Sequence, residues 1–137
     1  LLDQQPTWID KVSGMVNPEC DQFEFFHRIM TSLLLHGNAY IVITNRDRQG
    51  YPSELYNVHP DDVTIQRNNG AVLYTVINQG KDEKPLKRYT SKNPTGSIVH
   101  IKAFADGDDL KGISPIQNCK EAIGFGKAVE LFGSRFF

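Results

Sequence analysis

Charge of either sign in excess is missing from this chain: 15 Lys and Arg against 16 Asp and Glu leave a net charge of −1. That excludes the electrostatic footprint of a free-standing DNA- or RNA-binding module. The basic residues Arg46 and Arg48, and Lys81, Lys84, Lys87, Arg88 and Lys92, are interleaved with acids or spread along loops and read as solvated surface. No apolar run approaches the ~18 residues of a membrane-spanning helix. The first residues also lack the charged and apolar regions of a signal peptide, so neither export nor a membrane partner is expected. Cysteine is scarce. Cys20 and Cys119 fall in segments read as helices among apolar neighbours, which predicts two buried free thiols in a reducing compartment. With histidines only at 27, 36, 59 and 100, no paired ligand spacing exists for zinc, and each reads as a surface or capping residue.

Motifs of covalent and phosphate chemistry are absent too. No Gly-x-Ser-x-Gly elbow occurs. The nearest approach, Gly112-Ile113-Ser114-Pro115, is better read as a helix start, with Ser114 the N-cap and Pro115 at the first helical position. Ile123-Gly124-Phe125-Gly126 lies inside a helical pattern and follows no strand, so it is no phosphate loop. The one metal-ligand candidate is the loop of Asp106, Asp108 and Asp109 with His100 upstream, since hard cations want several carboxylate oxygens from a short loop. It lacks the alternating ligands and terminal glutamate of a calcium motif and reads as a solvated turn. A metal-dependent hydrolase built on these four residues stays as the rival reading, to be tested by calorimetry with calcium, magnesium and manganese. Otherwise no catalytic, cofactor-binding or metal residue is expected.

What the chain does have is an abrupt change of period. Phe23, Phe26, Met30, Leu33 and Leu34 recur at the spacing of one helix face, and Tyr40-Ile41-Val42-Ile43-Thr44 then runs as a β-branched, aromatic strand. Gly37 and Asn38 stand at the junction, where a left-handed residue can end the helix at little steric cost. Asn17-Pro18 reads as the start of that helix, with Asn17 as N-cap and Asp21 competing for the role. Further strands are expected at 39–45 and 55–58, the latter closed by His59-Pro60 to make a hairpin, and at 63–66 and 72–77 about an Asn69-Gly70 turn. A short strand at 86–89 and a strand at 98–104 complete the set. Residues 1–16, with Trp8 and Ile9, read as an extended or partly helical lead-in.

From Ser114 the last helix runs to the end of the sequence, with Ala122, Phe125, Val129, Phe132 and Phe136 on one face beside Gly126 and Gly133. Two glycines inside a helix cost ~1 kcal/mol each, and their expected use is close approach by another backbone. Phe125, Gly126, Val129, Phe132, Gly133 and Phe136 are therefore the candidate interface. The chain begins at Leu1 and stops at Phe136-Phe137 within a helical pattern, which reads as a fragment of a longer polypeptide. With no internal repeat or low-complexity tract, residues 1–137 read as one α+β domain. Its N-terminal helix packs on a mostly antiparallel sheet of about five to six strands, and a long C-terminal helix follows.

In this order the motifs resemble the phage portal protein family, in the branch of long-tailed phages and prophages. The resemblance rests on Asn17-Pro18, on Phe23 through Leu35 with Gly37-Asn38-Ala39-Tyr40-Ile41, and on Gly50 ahead of Glu54 through Val63 with His59-Pro60. It continues through Ile98-Val99-His100-Ile101, Gly112-Ile113-Ser114-Pro115-Ile116, Glu130-Leu131-Phe132 and Arg135-Phe136-Phe137, covering about residues 15 to 137. It implies a structural subunit without a chemical step, in a dodecameric ring at one capsid vertex. DNA is packaged and ejected through that ring, without sequence-specific binding. The terminase large subunit, the capsid or scaffold protein and the head–tail connector are the implied partners. The virion is the implied location, with assembly in the host cytoplasm. The region would be the wing, with the last helix leading towards the stem, and the matching residues would be structural or interface positions. A small adaptor forming no ring is the remaining rival.

Overall fold

The computed structural model describes residues 14–77, 84–105 and 110–136. The lead-in with Trp8 and Ile9, most of the loop after Ile77, and the acidic loop Asp106–Asp109 lie outside them. The elements are β1 (Met15–Asn17), β2 (Cys20–Asp21), α1 (Gln22–His36), β3 (Asn38–Arg46), β4 (Pro52–Val58), a 3-10 turn (Pro60–Asp62), β5 (Val63–Asn68), β6 (Ala71–Val76), β7 (Leu86–Lys87), β8 (Ile98–Lys102) and α2 (Pro115–Phe136). This is the α+β architecture expected, with antiparallel strands and a long final helix. The strands, however, divide among three small sheets: β1–β2, β4–β3–β8 and β5–β6–β7.

The division follows from β3. Its residues Asn38 to Ile43 are all buried, and alternate side chains go to two separate cores. Ala39 and Ile41 pack with Val16, Cys20, Phe25 and Ile29 under α1, while Tyr40 and Val42 pack with Val58, Val63, Tyr74 and Ile98 under the β5–β6–β7 sheet. A strand apolar on both faces is thus the middle layer. Backbone bonds from Tyr89 N–H to the Ile98 carbonyl, 2.7 Å, and from Ser97 N–H to the Lys87 carbonyl, 2.9 Å, connect the end of β7 to the start of β8. Asn69 and Gly70 take the two positive φ angles, 48° and 81°, expected of the β5–β6 turn.

Several expectations are corrected. The N-cap of α1 is Asp21, whose carboxylate accepts from Glu24 N–H at 2.8 Å. Asn17 instead ends β1: its Oδ1 accepts from Glu19 N–H at 2.9 Å and its Nδ2 donates to the Leu55 carbonyl at 2.8 Å, so Pro18 sits in a turn. An Asx turn held by a cross-strand bond outcompetes capping here. The buried stripe of α1 is Phe25 and Ile29, with Leu33 partly buried, whereas Phe23 is 82% exposed and Phe26, Met30 and Leu34 are also exposed. Apolar residues lie on both sides of this helix, and periodicity alone cannot choose between them. Cys20 is buried but on a strand, Cys119 is exposed on α2, and both are free thiols. His100 is buried. His59 does cap the 3-10 turn, its Nδ1 accepting from Asp61 N–H at 3.2 Å.

Candidate functional site

The helix-to-strand junction and the start of α2, some 75 residues apart in sequence, form one joint. Gly37 ends α1 in the left-handed region, φ 74°, with its N–H donating to the Leu33 carbonyl at 3.0 Å. A Cβ there would run into the backbone of Ile113, and a Cβ on Gly112 would run into the Gly37 carbonyl oxygen. Two backbones therefore pass at a distance that only glycine permits on each side. The Gly37 carbonyl is also held by Ala103 N–H, 2.9 Å, and Ile113 N–H donates to the Phe104 carbonyl, 2.8 Å.

Asn38 fastens the joint with its side chain; its backbone lies in β3. Buried at 5% exposure, its Nδ2 donates to the carbonyls of His36, 3.1 Å, and Gly112, 3.0 Å. Its Oδ1 accepts from Gly112 N–H, 2.6 Å, and from His100 Nε2, 2.9 Å. Two carbonyls on one side and an N–H on the other fix the amide orientation, so every donor and lone pair is used. It follows that His100 carries its proton on Nε2 and accepts at Nδ1 from the Tyr74 hydroxyl, 3.1 Å away. Tyr40, opposite His100 in the β3–β8 register, stacks on its ring with centroids 4.4 Å apart.

Burial is the main reason the His100 imidazole is held neutral, its pKa pushed down to about 4, with Arg88, Lys102 and Lys111 acting in the same direction. Burial likewise pushes the Tyr40 phenol up to about 12, aided by Tyr74. A buried polar chain with every member paired is rigid, and costly to break.

Ser114 completes the joint. Its hydroxyl donates at the C-terminus of α1, 2.7 Å from the Leu35 carbonyl and 3.3 Å from that of Leu34. The same oxygen accepts from Gln117 N–H at 3.2 Å, capping α2. One hydroxyl thus satisfies unpaired groups at two helix ends. Pro115 opens α2, and every residue from Ile116 to Phe136 is exposed except the half-buried Gly133. Phe125, Val129, Phe132 and Phe136 form an uncovered stripe, the last two rings 4.8 Å apart. Apart from the flanking residues and the backbone of α2 itself, no atom of the described residues comes within 4 Å of a Cβ at Gly126 or Gly133.

The structure thus unites Gly37, Asn38, Tyr40, Gly112, Ser114 and Pro115, places Ala39 on the opposite face of β3, and leaves Asn17, Pro18, His59 and Pro60 outside the joint. Tyr74 carried no sequence signal: its hydroxyl becomes notable only once β6 lies over β8. Both ring nitrogens of His100 are occupied by Tyr74 and Asn38, which removes it from the metal-ligand set proposed with the acidic loop.

A doubly buried strand, a glycine-to-glycine joint and a long helix with an uncovered apolar stripe make up a rigid α+β scaffold. The chain belongs to the phage portal protein family, whose profile it matches over residues 4–137. That family is structural and non-enzymatic. The chain is 26% identical over 142 residues to the "Probable portal protein" of Streptomyces phage phiC31, an alignment covering 96% of this chain and 29% of that protein. Its fold is similar to a chain in the virion of the native gene transfer agent particle, with a TM-score of 0.66 and 24% identity over 94% of this chain and 35% of that one. A chain in the neck of the native particle, computed with C12 symmetry, gives a TM-score of 0.63 at 24% identity, over 93% of this chain and 34% of that one. The chain thus spans about a third of the length of these relatives.

Proposed function

We propose that this chain is the wing portion of a portal subunit, part of a dodecameric ring at one capsid vertex through which DNA is packaged and ejected. In this reading α2 leads towards the stem, and the whole protein receives the terminase large subunit, the capsid or scaffold protein and the head–tail connector. It acts in the virion after assembly in the host cytoplasm. The observation that carries the reading is the fold similarity over 93% of the chain to a component of a particle neck computed with C12 symmetry.

Physical features support it. A wall past which DNA must move gains nothing from many phosphate contacts, whose binding grows steeply with their number, and the net charge of −1 suits that. Two exposed apolar stripes, Phe23, Phe26 and Met30 on α1 and Phe125, Val129, Phe132 and Phe136 on α2, are surface that subunit contacts would cover. A ring made by a heterologous interface needs two such different patches on each copy. Gly126 and Gly133 would then admit a neighbouring backbone. Electron microscopy of the full-length protein tests the reading: a closed twelvefold ring is expected, and a full-length protein that stays monomeric at assembly concentrations refutes it.

A further inference from the structure

The 22 residues of α2 make a rod about 33 Å long. Among the described residues, its hydrogen bonds to the rest of the chain lie at its start, where Ser114 meets the Leu34 and Leu35 carbonyls. A rod held at one end takes its direction from that end: a tilt of ~10° at the joint would swing Phe136 by ~6 Å, from the length just given. What fixes the joint therefore fixes where the apolar stripe of α2 points.

We infer that Asn38 and His100 are positioning residues that couple the β5–β6–β7 sheet to the direction of α2. The path is continuous and buried: Tyr74 on β6 donates to His100 on β8, 3.1 Å; His100 donates to Asn38 on β3, 2.9 Å; and Asn38 holds both the N–H and the carbonyl of Gly112, 2.6 and 3.0 Å, two residues before the α2 cap. Each of three strands contributes one member, so a displacement of β6 relative to β8 strains the next bond along. Tyr40 on the His100 ring blocks the sideways tilt that would relieve it. The neutral imidazole suits this role, since a single Nε2–H tautomer allows one donor–acceptor direction through the chain. The coupling is a property of a single copy and stands whether or not a ring forms.

Hydrogen–deuterium exchange resolved at the Gly112 and Gln117 amides tests this. Tyr74→Phe removes one hydroxyl from the far end of the path. It should speed exchange at both amides by about fivefold, the factor that one net hydrogen bond represents. His100→Leu should do so by more, and His100→Gln, which can both accept and donate, should recover part of the protection. Val63→Ala is the control, because Val63 is buried in the same core and its aliphatic side chain contributes no hydrogen bond to the path. Faster exchange in Tyr74→Phe but not in Val63→Ala supports the coupling. Unchanged exchange in Tyr74→Phe, or an equal rise in Val63→Ala, overturns it, and this holds even if His100→Leu does not fold.

Discussion

Acidification should weaken this fold through one residue, His100. In the unfolded chain its imidazole titrates near 6.5, whereas in the folded chain burial and the charges of Arg88, Lys102 and Lys111 push it down to about 4. Between those values the unfolded state holds a proton that the native state does not, so stability falls as pH falls. The loss begins near pH 6.5 and is complete near pH 4. The gap corresponds to about 3 kcal/mol at its full extent and to about 2 kcal/mol at pH 5. For a domain of this size 2 kcal/mol is roughly 6–10 °C in melting temperature. Urea unfolding at pH 7.5, 6.5, 5.5 and 5.0 should be run on the wild type and on His100→Gln, which does not titrate there. Any pH dependence common to the two proteins cancels in the difference. The wild-type curve should drop more steeply with falling pH by about 2 kcal/mol at pH 5. An NMR titration should place the His100 midpoint below 5 with the proton on Nε2. Parallel unfolding curves, or a midpoint near 6.5, would refute the buried, neutral imidazole.

The joint makes a second contrast. Gly50 and Gly37 both have positive φ, 88° and 74°, but a Cβ at Gly50 meets nothing within 4 Å. Gly50→Ala should therefore cost only the left-handed penalty of about 1 kcal/mol, while Gly37→Ala should cost more because it also clashes with Ile113; equal urea midpoints for the two would remove the close approach. Phe25→Ala should destabilise by about 3–5 kcal/mol, and Phe23→Ala by under about 0.5 kcal/mol in a monomeric chain, as read by calorimetric melting. The reverse order would mean that the wrong face of α1 has been assigned to the core. Ser114→Ala should cost about 1–2 kcal/mol and fray the first turn of α2, visible as faster amide exchange at Gln117. Unchanged exchange there would show that the hydroxyl does not cap the helix.

Local chemistry was enough for much of the fold. The helix stop at Gly37 followed from a period change, the Asn69-Gly70 turn from two residues that tolerate positive φ, and the start of α2 from Ser114-Pro115. Each depends on neighbours a few residues apart. The order of these motifs also pointed to the portal family without any coordinates. Choices between alternatives that are locally equal were not legible. Phe23 and Phe25 are equally apolar, and only the position of Val16, Cys20, Ala39 and Ile41 decides which one is buried. Asn17 and Asp21 can both cap a helix, and the reach of Asn17 to Leu55 decides between them. The β-branched, aromatic run at 40–44 showed a strand without showing which elements would cover each of its faces, and three small sheets replace one.

By itself the sequence determined most element types, the cap of α2, the β5–β6 turn and a family resemblance, because these rest on short-range sterics and hydrogen bonding. Only the tertiary structure decided what Asn38 and His100 do. Their partners lie on Gly112, 74 residues from Asn38, and on Tyr74, 26 residues from His100. A buried polar group takes its role from whatever long-range packing brings to it, and no local pattern carries that information.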